Sequence, residues 1–133
     1  MRFWGKKKEA KEAPEEAKRE ASLLERLCGD DKALYEDLSW SIYLNPTGKG
    51  THAEAMQKAE AFEREGKKSE AAREYQHAGA LALYEGSIDG VKRAFDKSAE
   101  LSERKFSRIR EKPEKAVEIT RNYYERELKT PRT

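Results

Sequence analysis

The chain has 133 residues, of which 41% are charged and 36% hydrophobic, and its formal net charge is only +2. This composition leaves too little apolar surface for sheets buried on both faces, so it favours amphipathic helices around one modest core. The near-neutral charge and the spread of aromatic residues along the chain argue against full disorder.

Residues 1–13 are rich in Lys, Glu and Ala and have no apolar stripe after Trp4, which predicts a flexible charged arm. Phe3 and Trp4 lie among basic residues and could make a weak peripheral contact with an anionic membrane surface. No apolar run approaches the roughly 20 residues that cross a bilayer, and the single Cys28 cannot form an internal disulfide. We therefore expect a cytoplasmic protein without a transmembrane segment, whose wealth of Glu, Lys and Arg resembles thermophile composition.

An N-terminal helix pair is predicted over residues 14–45. Pro14 suits the first turn of the first helix, and Gly29 suits its end. Asp31 can cap the second helix, whose apolar line consists of Leu34, Leu38 and Ile42.

A helical hairpin is predicted over residues 51–86, after a loop dense in turn-forming residues. Thr51 and Glu54 fit a capping box at the start of its first helix. Gly66 is placed to close that helix, and Ser69 is placed to cap the second.

A second, longer hairpin is predicted over residues 87–129. Its first helix runs from Ser87 to about residue 110, because a nearly continuous apolar stripe follows helical spacing over that length. Pro113 then begins the last helix. Residues 14–133 are thus predicted to form one all-α domain of antiparallel hairpins, either a repeat array or a compact bundle of five to six helices.

Small and aromatic residues between Ala55 and Leu83 stand at the positions of a tetratricopeptide hairpin. Small residues let two helices approach closely, and aromatic rings fill the spaces between hairpins. The segment therefore resembles a tetratricopeptide repeat, with 87–129 as a degenerate second copy, and the resemblance implies a protein-binding helical array. The residues that carry it, and that would pack the repeat, are Ala59, Phe62, Ala71, Tyr75 and Ala78.

The same stretch is similar, more weakly, to a microtubule-interacting-and-trafficking domain, a three-helix bundle with a Tyr-x-x-Ala pattern in its second helix. Tyr75 to Ala78 supplies that pattern, and the long helix predicted up to residue 110 fits the third helix of such a bundle. Both resemblances imply an activity of the same class, which is binding another polypeptide.

Neither histidine belongs to a metal-binding motif, since His52 and His77 lie on different predicted helices. Cys28 has no histidine near it in sequence and suits a small buried position at a helix end. We therefore expect no catalytic constellation, no metal and no cofactor, and hence a protein that is not an enzyme.

The first functional hypothesis is an adaptor that binds a peptide or protein segment in a groove along the helices at 52–65 and 87–110. By helical phase, the side chains expected to reach a partner there are Gln57, Arg64, Lys92, Arg93 and Asp96.

The alternative hypothesis is nucleic-acid binding through a C-terminal basic patch, because residues 67–133 carry a net charge of +4. Twelve acidic residues in the same segment cancel most of the field, which makes this partner class the less favoured one. The patch consists of Arg104, Lys105, Arg108, Arg110 and Lys112.

A homodimer is also predicted, because the chain has more aromatic rings than a thin bundle needs on its core stripes. Tyr123 and Tyr124 are adjacent in sequence, so they are not expected to face the same core. The rings concerned are Phe3, Trp4, Trp40, Tyr43, Tyr84, Tyr123 and Tyr124.

Overall fold

The computed structural model of the chain describes residues 23–42 and 48–127, which form seven α-helices and no strand. The predicted all-α class is confirmed, and the architecture is that of a compact helical bundle. The helices are α1 at 23–28, α2 Lys32–Ser39, α3 His52–Arg64, α4 Lys68–Glu85, α5 Ile88–Leu101, α6 Ser107–Glu111 and α7 Pro113–Glu127. The predicted arm at 1–13 lies outside the described residues.

Three of the predicted caps form at the predicted residues. Thr51 and Glu54 make both hydrogen bonds of a capping box, and the Asp31 side chain accepts from the amide of Leu34. Gly66 adopts a positive φ of 79°, as a glycine that closes a helix does.

Two other predicted ends differ. Ser69 does not cap α4, which begins at Lys68 after the N-cap Lys67 and has no side-chain cap. Helix α2 ends at Ser39, so Ile42 lies beyond the helix on which it was predicted.

Helices α3, α4 and α5 form an up-down-up unit around small residues. The ends of α3 and α4 meet where the backbone amide of His52 donates to Glu85, so these two helices are antiparallel. Helix α5 approaches α4 so closely that a Cβ on Gly79 would lie 2.5 Å from the ring of Phe95. Ala59, Ala71, Tyr75 and Ala78 are buried in the core of this unit and Phe62 packs against it.

The long helix predicted from Ser87 to residue 110 is wrong, because α5 ends at Leu101. The Lys105 ammonium donates to the carbonyls of Ala99 and Ser102, which satisfies the end of α5 without another helical turn. Phe106 then takes a left-handed conformation with φ 48°, and its ring packs 4.8 Å from that of Phe95, centroid to centroid. The apolar stripe is therefore buried as expected, although the chain turns at Phe106 and does not continue as one straight helix. The described residues after Ser87 form three helices instead of the predicted two.

Helices α1, α2, α6 and α7 contribute to a second and larger core that contains Cys28, Leu34 and Leu38, and α2 packs on α6 and α7. Asp37 on α2 accepts hydrogen bonds from the backbone amides of Arg108 and Ile109 at the start of α6. A side chain from α2 thus caps a helix about 70 residues away in sequence.

The expectation that Tyr123 and Tyr124 face different surroundings is wrong, since both are buried in this larger core. Helix α7 contacts α2, α4, α5 and α6, so two adjacent positions both find apolar neighbours. Tyr124 packs edge to face against Tyr84 at 5.2 Å. The homodimer prediction therefore rests on Trp40, which is 54% exposed, and on Phe3, Trp4 and Tyr43, which lie outside the described residues.

Candidate protein-binding groove

An open groove lies between α3 and α5, with α4 beneath it. Both helices pack on α4 but make few contacts with each other. The start of α3 meets the start of α5, which shows that the two helices are parallel. At that end the His52 ring lies within 2.8 Å of where a Cβ on Gly90 would sit, so glycine permits the approach. At the other end Lys97 of α5 reaches Glu63 of α3 at 3.1 Å. The two helices therefore meet at their ends and leave a channel between.

The main part of the groove has a volume of about 720 Å³. A smaller pocket of about 240 Å³ continues it toward the start of α3 and shares Met56, Glu60 and Arg93 with it. The side chains of Met56 and Tyr75 form its apolar floor. Because α3 has 13 residues at about 1.5 Å each, the groove has room for roughly five or six extended residues or three helical turns of a partner.

A hydrogen-bonded cluster fixes the floor at one end. The Tyr75 hydroxyl donates to Glu63 at 2.7 Å, and the Lys97 ammonium donates to the same carboxylate while lying over the Tyr75 ring. The bond from Tyr75, followed by that from Lys97, lowers the pKa of Glu63. Burial and the Glu63 carboxylate raise the pKa of Tyr75, and the bond to Glu63 raises the pKa of Lys97. At neutral pH the cluster thus consists of a carboxylate, an ammonium and a neutral phenol.

Four of the five residues predicted to reach a partner line the groove, namely Gln57, Arg64, Arg93 and Asp96. The fifth, Lys92, is exposed but lines neither part of the groove. The next residue of α5, Arg93, lines both parts of the groove.

The charges along the groove differ in how far they are neutralised. Asp96 receives a 2.8 Å hydrogen bond from Arg110, and Glu63 is paired with Lys97. By contrast, the guanidinium groups of Arg64 and Arg93 have no hydrogen bond or ion pair within residues 23–42 and 48–127. The groove therefore presents two guanidinium groups that are unpaired among the described residues, beside its apolar floor.

The residues of the predicted basic patch are scattered and mostly paired. Arg104 stacks on Trp40 at 3.8 Å, and Lys105 binds the carbonyls at the end of α5. Arg108 pairs with Asp31 and Glu111, and Arg110 pairs with Asp96. Lys112 alone of the five has no such contact in the described part of the chain. These side chains do not form one open basic surface.

His52 and Cys28, which were considered for metal or nucleophilic chemistry, have contacts that fit a structural role. His52 contacts Glu85 through both its backbone amide and its ring Nδ1. Cys28 is buried, and burial followed by the Asp31 charge raises the pKa of its thiol to about 11. Among the residues that the structure describes, no group of three or more His, Cys, Asp or Glu side chains is arranged to hold a metal ion.

Sequence reasoning missed several residues that shape the groove, above all Met56, Glu63, Lys97 and Gly90. Met56 lies three residues before Ala59 and could have been assigned to the same face by helical phase. The partners Glu63 and Lys97 are 34 residues apart, and nothing local distinguishes them among 54 charged side chains.

No described helix is long and apolar enough to cross a membrane. A scan against protein-family models matched none, and searches of curated proteins and of solved structures found no significant match. Neither resemblance stated from the sequence gains support from these comparisons.

Proposed function

We propose that this protein is an interaction module that binds a peptide segment of another protein in the groove between α3 and α5. The observation that carries the proposal is the groove itself, an open channel with an apolar floor of Met56 and Tyr75 and with charged walls. A partner that buries apolar atoms on the floor and pairs its charges at the walls gains both affinity and orientation.

The position of the N-terminal helices supports this proposal. The described parts of α1 and α2 belong to the larger core, where α2 packs on α6 and α7, and no residue of α1 or α2 lines the groove between α3 and α5. Nucleic-acid binding has less support, since four of the five basic residues expected to bind a nucleic acid contact other groups of the chain.

A peptide-display selection followed by affinity measurement tests the proposal. Gln57→Trp places a bulky ring in the groove, whereas Lys58→Trp places the same ring at an exposed position of α3 that lines neither part of it. Selected peptides should lose at least tenfold in affinity for Q57W and keep their affinity for K58W. A selection that yields no binder, or binders equally insensitive to both variants, would refute the function.

A further inference from the structure

We infer that the partner segment is acidic, with two carboxylates that flank an apolar side chain. This inference rests on the proposed function and adds the chemistry of the ligand. It is carried by Arg64 and Arg93, which lie on opposite walls of the groove and have no partner in the part of the chain that the structure describes.

Two of the groove's three carboxylates are already engaged. Glu63 accepts from Tyr75 and Lys97, and Asp96 accepts from Arg110. Glu60, on the α3 wall, is the one groove carboxylate without a partner among the described residues, so it can offset at most one of the two guanidinium groups. Two unpaired cations against one unpaired anion in the described groove favour an anionic ligand, and a guanidinium presents a planar pair of donors that matches a carboxylate.

The positions of the two arginines set the spacing of the ligand's acids. Arg93 lines both parts of the groove, and the smaller part also contains Gln57, whereas Arg64 lines only the main part, seven residues beyond Gln57 on α3. Seven residues of helical rise amount to roughly 10 Å. Carboxylates three positions apart in an extended segment, or seven apart in a helical one, are separated by about the same distance. An apolar side chain between them would then lie on the floor that Met56 and Tyr75 form.

Glu60 provides an independent test of the ligand's negative charge. Its carboxylate repels an acidic segment that lies between the arginines, so it lowers the affinity that the arginines provide. Glu60→Gln removes that repulsion and keeps the shape of the side chain. The variant should therefore bind an acidic peptide more tightly than the wild type does.

The experiment uses the full chain and two sets of three labelled peptides, one set spaced for an extended backbone and one for a helical backbone. Within a set the peptides share one apolar core and differ only in the flanking pair, which is Asp, Ser or Lys. At low salt the Asp peptide of one spacing should bind about tenfold more tightly than the Ser peptide, and added salt should narrow the difference. Arg93→Glu should lower affinity for the Asp peptide at least tenfold and raise it for the Lys peptide, while the exposed control Lys92→Glu should change neither by more than twofold.

The outcomes separate this inference from the function on which it rests. A gain of Lys-peptide binding by R93E requires a folded protein, so it supports the inference even if the variant is less stable. Equal affinity for the Asp, Ser and Lys peptides would overturn the acidic partner while leaving a peptide-binding groove. Failure of every peptide to bind the wild type would count against both.

Discussion

The Tyr75 hydroxyl of α4 donates a 2.7 Å hydrogen bond to the Glu63 carboxylate of α3, directly beneath the groove. Lys97 of α5 donates to the same carboxylate, so three helices meet at one acidic group. The cluster joins the two walls of the groove to its floor and thereby fixes the distance between α3 and α5 at this end.

This cluster predicts a specific dependence of stability on pH. Because the folded state lowers the pKa of Glu63, its stabilising contribution is present at neutral pH and is lost as the pH falls below about 5 through the folded-state pKa. At the alkaline end, the raised pKa values of Tyr75 and Lys97 mean that their contributions are lost as the pH rises above about 10.

Denaturant unfolding of the wild type and of Glu63→Gln between pH 3 and 7 measures the acid limb. The wild type should lose more free energy of unfolding over this range than E63Q does. Glu103→Gln, which changes an exposed carboxylate in the loop after α5, is the control and should follow the wild type. Parallel curves for wild type and E63Q would show that Glu63 titrates alike in the folded and unfolded states.

Gly79 is predicted to be essential for the contact between α4 and α5. A Cβ there would lie 2.5 to 2.8 Å from three atoms of the buried Phe95 ring. Although alanine favours a helix over glycine by about 1 kcal/mol, Gly79→Ala should destabilise the protein by roughly 1–3 kcal/mol through overpacking. In a Phe95→Leu background the same change should cost less, which thermal and denaturant unfolding can measure. A more stable G79A would contradict the close packing.

Asp37 is predicted to hold α6 in place through its two hydrogen bonds to backbone amides. Asp37→Ala should lower the free energy of unfolding by about 1–2 kcal/mol, as the loss of a helix cap does. Asp37→Asn keeps an acceptor oxygen and should cost less, since burial already raises the pKa of Asp37 and disfavours its charge. Glu36→Ala alters the exposed neighbouring side chain and serves as the control. Equal stability of D37A and E36A would refute the capping role.

Thr120 offers a substitution that should stabilise the protein. Its hydroxyl is fully buried in α7 and has no hydrogen-bond partner among the described residues. Thr120→Val replaces the hydroxyl by a methyl group of similar shape and should raise the free energy of unfolding by about 1 kcal/mol. Thr120→Ser keeps the hydroxyl and removes a buried methyl group, so it should destabilise by a similar amount. A destabilised T120V would mean that the hydroxyl has a partner in solution.

Local signals predicted most of the fold. The capping box at Thr51 and the glycine at Gly66 follow from chemistry within one or two helical turns. The end of α5 did not follow, because the apolar stripe continues through Phe106 although the chain turns. Periodicity reports which residues are buried, and it does not report whether one straight helix buries them all.

The groove could be predicted only in part for the same reason. Helical phase placed Gln57, Arg64 and Arg93 on the faces that line the groove, since it needs only the helix that carries each residue. It could not show that Arg110 neutralises Asp96 or that Lys97 neutralises Glu63, because those pairs join separate elements. Which charges remain free for a partner depends on tertiary pairing.

Binding of a peptide in the groove is tested most directly by titrating a selected peptide into ¹⁵N-labelled full-length protein and following backbone amide shifts. If the peptide binds there, the largest shifts should fall on Met56, Glu60, Arg64 and Arg93, and Gln57→Trp should remove them. Shifts concentrated around Trp40 or the segment from Arg104 to Lys112, with the groove unchanged, would contradict it.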